Sequence, residues 1–404
     1  VRLSGLRWVE ESGLGRRGQL GHGGTAAAAL KDLVRRSLLL RVGLAVVLHF
    51  GVSEAALAPD QLTYHFGGDA LARYWSGDRP TPPALLERSP PAYFYIIAVI
   101  YYVFGSFAVL PKLANCLVGA ATVQLTYNLA FCITASEETS LRAARLCAYF
   151  PSLVLWSALN IRDVWIVFLI LLVCLRTMKL QEGFRLQHLM IAAAGIYGLT
   201  LFRAYILVAI AVPILISFLI RDRPNFARNA ILGSLLASIV IFADVGAGKK
   251  GQVALPDLET LQQLRRDTGF GGSRYDVNVD ISSPTKALAY LPRGVAMFLL
   301  APFPWEVRGF RQVLTLPEML FFYSLLPSLL RGMRKLLRER LEHSFMVFFI
   351  AGSLTLGYSL GQANVGTAYR YRAQVLPIYL VFAAAGVRKA AAAGVPARRR
   401  RLRA

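Results

Sequence analysis

Charged side chains are scarce in this sequence. Only 17% of its 404 residues are Asp, Glu, Lys or Arg, against roughly 25% in a soluble globular chain. With 55% hydrophobic residues and a mean hydropathy of +0.48, an ordinary soluble domain is excluded. Cysteine is rare as well. The four present, Cys116, Cys132, Cys147 and Cys174, all lie inside apolar runs. They have neither paired loop positions nor metal-ligand spacing, so a disulfide scaffold is excluded and they read as small core residues. The five histidines are scattered without an H-x-x-x-H cluster, so no zinc site is legible. Short alternating segments are missing, which excludes a membrane β-barrel. The Gly-rich stretch "GFGGS" lacks the flanking strand and the lysine of a phosphate-binding loop and reads as a flexible loop that could cover a substrate.

What is present is a series of apolar runs, several reaching roughly 18 residues without a charge, the pattern of an all-α polytopic membrane protein. The net charge is +22, from 45 basic and 23 acidic residues. The bases cluster in short segments between apolar runs, as cytoplasmic loops do, which argues against a nucleic-acid partner. Basic segments at "DLVRR", 179–185, 221–228, 331–343 and the C-terminal tail mark one side of the membrane, and between any two of them the chain crosses an even number of times. Parity places Arg203 and the segment "GQANVGTAYRYR" on the outer side. The Pro-rich run "ALAYLPRGVAMFLLAPFPW" suits an interfacial segment within one large outer loop. Five runs precede Lys179, one too many; a run between 91 and 160 must fail to span, with the proline-centred "ARLCAYFPSLVLWSAL" as an example. The expected organisation is a cytoplasmic extension over 1–36, a transmembrane module over 37–246 with a first outer loop at 59–90, and a large outer loop over 247–314. Further membrane helices over 315–387 and a basic cytoplasmic tail over 388–404 complete it. About ten spans result, seven of them before the large loop, with both termini cytoplasmic.

Acids and arginines collect at the outer ends of these spans. Asp60 follows the first span, beside Gln61, Tyr64 and His65. It is either a solvated loop carboxylate or a group held at headgroup level. The recurrence of Leu71, Tyr74 and Trp75 after Gly67-Gly68 favours the second, because that spacing makes a short helix lying on the membrane. Asp163 borders a span and follows Arg162, as an interfacial ion pair or as a functional acid would. Arg203, Arg370 and Arg372 lie on the side that disfavours arginine, with Arg293 of the large loop as a weaker member of the set. Arginine grips phosphate with two parallel bonds, so these residues fit an anionic lipid head; snorkelling to phospholipid is the alternative.

In these segments the sequence resembles the GT-C membrane glycosyltransferases, the superfamily of protein O-mannosyltransferases and lipid A aminoarabinose transferases. Asp60 with Tyr64 matches an acidic pair followed by tyrosine, although here the pair is Asp60-Gln61, with one carboxylate. Ser89-Pro90-Pro91 with Tyr93 resembles the start of the family's second span. The stretch "FGSFAVLPKLANCLVGAATVQLTYNLA" resembles its third, with Lys112 where an arginine is usual. The segment "SALNIRD" places Asp163 at the family's second acid. The resemblance implies a GT-C architecture with a large outer loop after the seventh span. It also implies transfer of a sugar from a polyprenyl-phosphate donor to a glycan, lipid or protein acceptor, at the outer face of a bacterial inner membrane. Asp60 would be the general base, and Asp163 would orient the acceptor or help bind a divalent metal. Arg370, Arg372, Arg203 and Arg293, with Tyr64 and His65, would bind substrate. The segments "NVGTAYRYR" and "APFPWE" look like those of polysaccharide-assembly membrane proteins, so a repeat-unit polymerase is the alternative. A transporter or flippase is a third reading, and it would want ionisable residues within the spans and pseudo-repeats.

Overall fold

The computed structural model describes residues 23–84, 92–203, 206–220, 233, 258–269, 271–307 and 309–388. The basic segment 221–228, the seventh predicted span, Ser89-Pro90-Pro91, most of the N-terminal extension and nearly all of the basic tail lie outside the described residues. Among the described residues the chain is helical with no strand, and an isolated bridge joins Arg274 to Asn364. Among the described residues three helices, Val109–Thr134, Gln312–Glu339 and Leu341–Gly361, are long and apolar enough to cross a membrane. The protein is a multi-pass membrane protein.

Helix α1 (Gly23–Gly51) ends at what becomes the site end of the bundle, followed by a short turn of helix α2 (Glu54–Leu57) and by α3 (Asp60–Trp75). The pair Gly67-Gly68 does not break α3. Both glycines are buried, and a Cβ on Gly68 would lie 2.3 Å from Ile97 Cγ2. They let α4 (Ala92–Phe104) press directly onto α3. Tyr64 meets Tyr93 edge to face at 4.9 Å, and His65 shares a 2.7 Å hydrogen bond with the Tyr101 hydroxyl.

Helix α4 is an apolar helix too short to cross. Its 13 residues span about 20 Å, short of a hydrocarbon core of about 30 Å. The chain leaves it only to start α5 (Val109–Thr134) at the same end of the bundle. There Lys112 pairs with Glu54 beyond the end of α1 at 2.7 Å. The run that the sequence offered as an example reaches from one end of the bundle to the other. It is split by Pro151 into α6 (Glu137–Tyr149) and α7 (Pro151–Ser157), which carry the chain from the far end back to the site end.

The split has a specific repair. Proline has no N–H, so the Cys147 carbonyl loses its helical partner, and the extended Phe150 leaves Ala148 unpaired as well. Arg41, buried in the middle of α1, donates to Ala148 O at 2.9 Å and to Cys147 O at 3.3 Å, and also contacts Ser37. A charge that would be costly inside a membrane is thereby spent on two orphan carbonyls.

Helices α8 (Asp163–Glu182), α9 (Leu186–Arg203) and α10 (Ile206–Ile220) follow. Beyond them, α11 (Leu258–Thr268) and α12 (Pro284–Leu300) flank a loop at the site end. Helices α13 (Phe310–Glu339), α14 (Leu341–Gly361) and α15 (Val365–Ala385) complete the bundle. Every residue from Arg372 to Ala385 is buried, so α15 is the central helix and carries apolar groups all round. The loop before α12 is not free. Its strand-like contacts run Tyr275 N to Ala363 O and Val365 N to Ser273 O, both at 2.9 Å. Arg265, fully buried, donates to Asp276 O, Gln362 O and the Tyr290 hydroxyl. The expectation of a flexible cover is corrected: backbone pairing and a buried guanidinium fix this loop on the α14–α15 turn.

Candidate active site

Two helix starts and the second turn of α15 converge on one cluster. Asp60 opens α3 and Asp163 opens α8, positions where the helix dipole favours a carboxylate. Arg370 reaches both. Its Nε and one terminal nitrogen contact Asp163 Oδ2 at 2.6 Å, and its other terminal nitrogen donates to Asp60 Oδ2 at 2.8 Å. Asp163 also accepts from Arg203 at 3.3 Å and from the Gln374 amide at 3.2 Å. The environments of the two acids differ sharply. The Asp163 side chain is 1% exposed, whereas that of Asp60 is 49% exposed. One acid is therefore enclosed by cations and an amide, and the other faces outward with a single arginine behind it.

The turn between α7 and α8 sets this geometry. Asn115 donates to Leu159 O at 2.7 Å, Ile161 O at 2.9 Å and the Tyr93 hydroxyl at 2.8 Å, while the Trp165 indole donates to Asn115 at 2.7 Å. Tyr93 in turn donates to Asn160 at 2.8 Å. Gln61, next to Asp60, bridges the turn to α2. Its amide nitrogen donates to Glu54 O at 2.8 Å, and its carbonyl accepts from Asn160 N at 3.0 Å. An ionised glutamate could accept here but not donate. The single-carboxylate form of the acidic pair thus has a structural reason, because position 61 is buried and needs both functions.

Of the residues singled out in the sequence, Asp60, Asp163, Arg203 and Arg370 meet in this cluster. Arg372 does not. Two residues along a helix turn the side chain by about 200°, and Arg372 is buried against α12 and α13, donating to Leu299 O beside the Glu318–Tyr369 pair. Arg372 is therefore placed apart from the cluster that Arg370 and Arg203 share. Arg293 lies on the pinned loop's own network, paired with Asp276 at 2.7 Å. Partial burial raises the Asp276 carboxyl, but the Arg293 guanidinium and the Tyr290 hydroxyl outweigh it and hold it below the usual carboxylate range. Tyr64 packs its ring between Tyr93 and Phe94 and lies within electrostatic reach of Asp60, Asp163 and Arg370, whereas His65 is turned to α4 and fastens α3.

Sequence reasoning missed Gln374, one turn after Arg370, and the supporting Asn115 and Asn160. It also passed over Glu318, whose lone acid in the apolar run "TLPEMLFF" is the kind of signal that marks a buried partner. A metal finds a poor donor set. Among the described residues no three His, Cys, Asp or Glu side chains converge, and arginine stands between the two carboxylates.

Residues 88–246 match the family described as dolichyl-phosphate-mannose-protein mannosyltransferase. The structure is similar to the crystal structure of ArnT from Cupriavidus metallidurans bound to undecaprenyl phosphate, with a TM-score of 0.52 over 86% of this chain at 16% identity. The chain has an ArnT-like fold. It spans 59% of the length of that ArnT chain. No curated protein matches it in sequence. The family match runs from just before α4 to beyond α10 and so contains Asp163 and Arg203. The other members of the cluster, Asp60 and Arg370, lie outside the matched segment, on the flanking helices α3 and α15.

Proposed function

We propose that the protein is a membrane glycosyltransferase that moves a sugar from a polyprenyl-phosphate donor to an acceptor hydroxyl, at the outer face of a bacterial inner membrane. The observation that carries this reading is the Asp60–Arg370–Asp163 bridge, a half-exposed carboxylate beside an arginine anchored from behind. Glycosyl transfer needs both parts. The acceptor oxygen attacks the anomeric carbon and gives its proton to Asp60. The bond from that carbon to the phosphate oxygen breaks, and its electron pair leaves with the phosphate, which Arg370 meets with Arg203 close behind. Asp163 keeps Arg370 oriented and neutralises excess positive charge when the site is empty.

The test is sugar transfer from a polyprenyl-phosphate sugar by purified protein in proteoliposomes. Asp60→Asn keeps the shape but cannot accept a proton, and loss of a general base typically costs about 10²–10⁴ in rate. Near-normal turnover in this variant would remove Asp60 from the chemistry and favour the repeat-unit polymerase, whose chemistry would rest on the arginines.

A further inference from the structure

Arg370 holds the two acids in unequal ways. Its side edge, Nε with the adjacent terminal nitrogen, is committed to Asp163, which is closed to solvent and further held by Arg203 and Gln374. The end of the guanidinium, where the two terminal nitrogens form a second fork, meets only Asp60 Oδ2. That fork is the edge that fits two phosphate oxygens. Asp60 therefore occupies the place that an anionic headgroup would take on Arg370, while one of its own oxygens is tied up by the bond. The Asp60 side of the bridge is water-accessible, and an ion pair with such exposure contributes little net stability. The Asp163 side is buried, so losing it would be costly.

We infer that the Asp60–Arg370 pair is an exchangeable mask: a phosphate headgroup displaces the Asp60 carboxylate from the Arg370 end fork and thereby frees the base. The inference rests on the glycosyltransferase reading above and adds to it a coupling. Donor binding and release of the general base are one event, so Asp60 is available only when the phosphate is in place. Asp163 stays on the side edge throughout and keeps the guanidinium from swinging out with its ligand. No covalent bond is made or broken in the exchange; one anion replaces another at the end of the Arg370 guanidinium.

The consequence is opposite to what a binding residue would give. Removing a competing carboxylate strengthens phosphate binding, so Asp60→Asn and Asp60→Ala should each bind a short-chain polyprenyl phosphate about three- to tenfold tighter than the wild type, although both lose transfer. The matching polyprenol, which has no phosphate, should show no such gain. Binding would be measured by calorimetry in detergent on the full chain, with melting midpoints confirming that each variant is folded. Equal or weaker phosphate affinity in both variants would overturn the exchange and leave the glycosyltransferase reading standing. A gain shared by the polyprenol would overturn it too, since the effect would then lie with the lipid tail. Absence of polyprenyl-phosphate binding in wild type and variants alike would overturn both the exchange and the donor class on which it rests.

Discussion

Converting Asp163 to asparagine would leave Arg370 and Arg203 facing a neutral amide at a position 1% exposed to solvent. Uncompensated buried charge of this kind typically costs about 3–5 kcal/mol. Asp163→Asn is expected to lose stability on that scale in a denaturation experiment in detergent, while Asp60→Asn should stay within about 1 kcal/mol of the wild type, because its pair is open to water. Equal losses would contradict the division between a buried anchor and an exposed base. Much of this cluster was legible from residue chemistry. Acids and arginines at the outer ends of apolar runs need a reason there, and Asp60, Asp163, Arg203 and Arg370 do converge. Arg372 is placed apart from Arg370 because residues two apart on a helix point to nearly opposite sides, which the sequence alone does not display. Gln61 looked like a defect in the motif. Its two-way hydrogen bonding shows that the position is built for an amide.

At the scale of elements, the break at Pro151 and the arginine of α1 form one device. Arg41→Leu would fill much of the same space but leave the carbonyls of Cys147 and Ala148 without their donor. Hydrogen bonds from charged donors contribute about 1.5–3 kcal/mol each. The variant is therefore expected to be destabilised by at least about 1.5 kcal/mol in the same denaturation assay, and the α7–α8 turn that carries Asn160 should lose protection in hydrogen exchange. Unchanged stability and unchanged exchange would mean that the carbonyls find other partners. Sequence reading saw the proline and inferred a weak span. It had no means to see that an arginine 110 positions earlier supplies the missing bonds, because that pairing exists only once α1 packs on α6. At α4, one of the runs that parity left open, strong hydropathy conceals a helix that lies on α3. The only trace in the sequence is its shortness and the glycine pair facing it.

For the whole molecule, hydropathy and the distribution of basic residues carry far, because a bilayer imposes length and polarity on every crossing segment. The all-helical fold was legible on those grounds, and the GT-C resemblance on the motifs around Asp60, Tyr93, Lys112 and Asp163. The path of the chain across 91–160 was not, since parity says that a run fails and leaves open which. The structure makes a prediction here. With α4 at the site end, a cysteine placed at the exposed Ser106 between α4 and α5 should react with a membrane-impermeant reagent from the same side as one at exposed Ser282. A cysteine at Lys335, towards the far end of α13, should react only from the other side. Labelling of Ser106 together with Lys335 would mean that α4 crosses.

The measurement closest to the central claim is a cryo-electron microscopy map of the protein with a polyprenyl phosphate bound. The account predicts phosphate density within hydrogen-bond reach of the Arg370 end fork, with the Asp60 carboxylate turned away from the guanidinium and Asp163 still on its side edge. Phosphate density at Arg293 and Lys286 on the loop, with the Asp60–Arg370–Asp163 bridge intact, would contradict it.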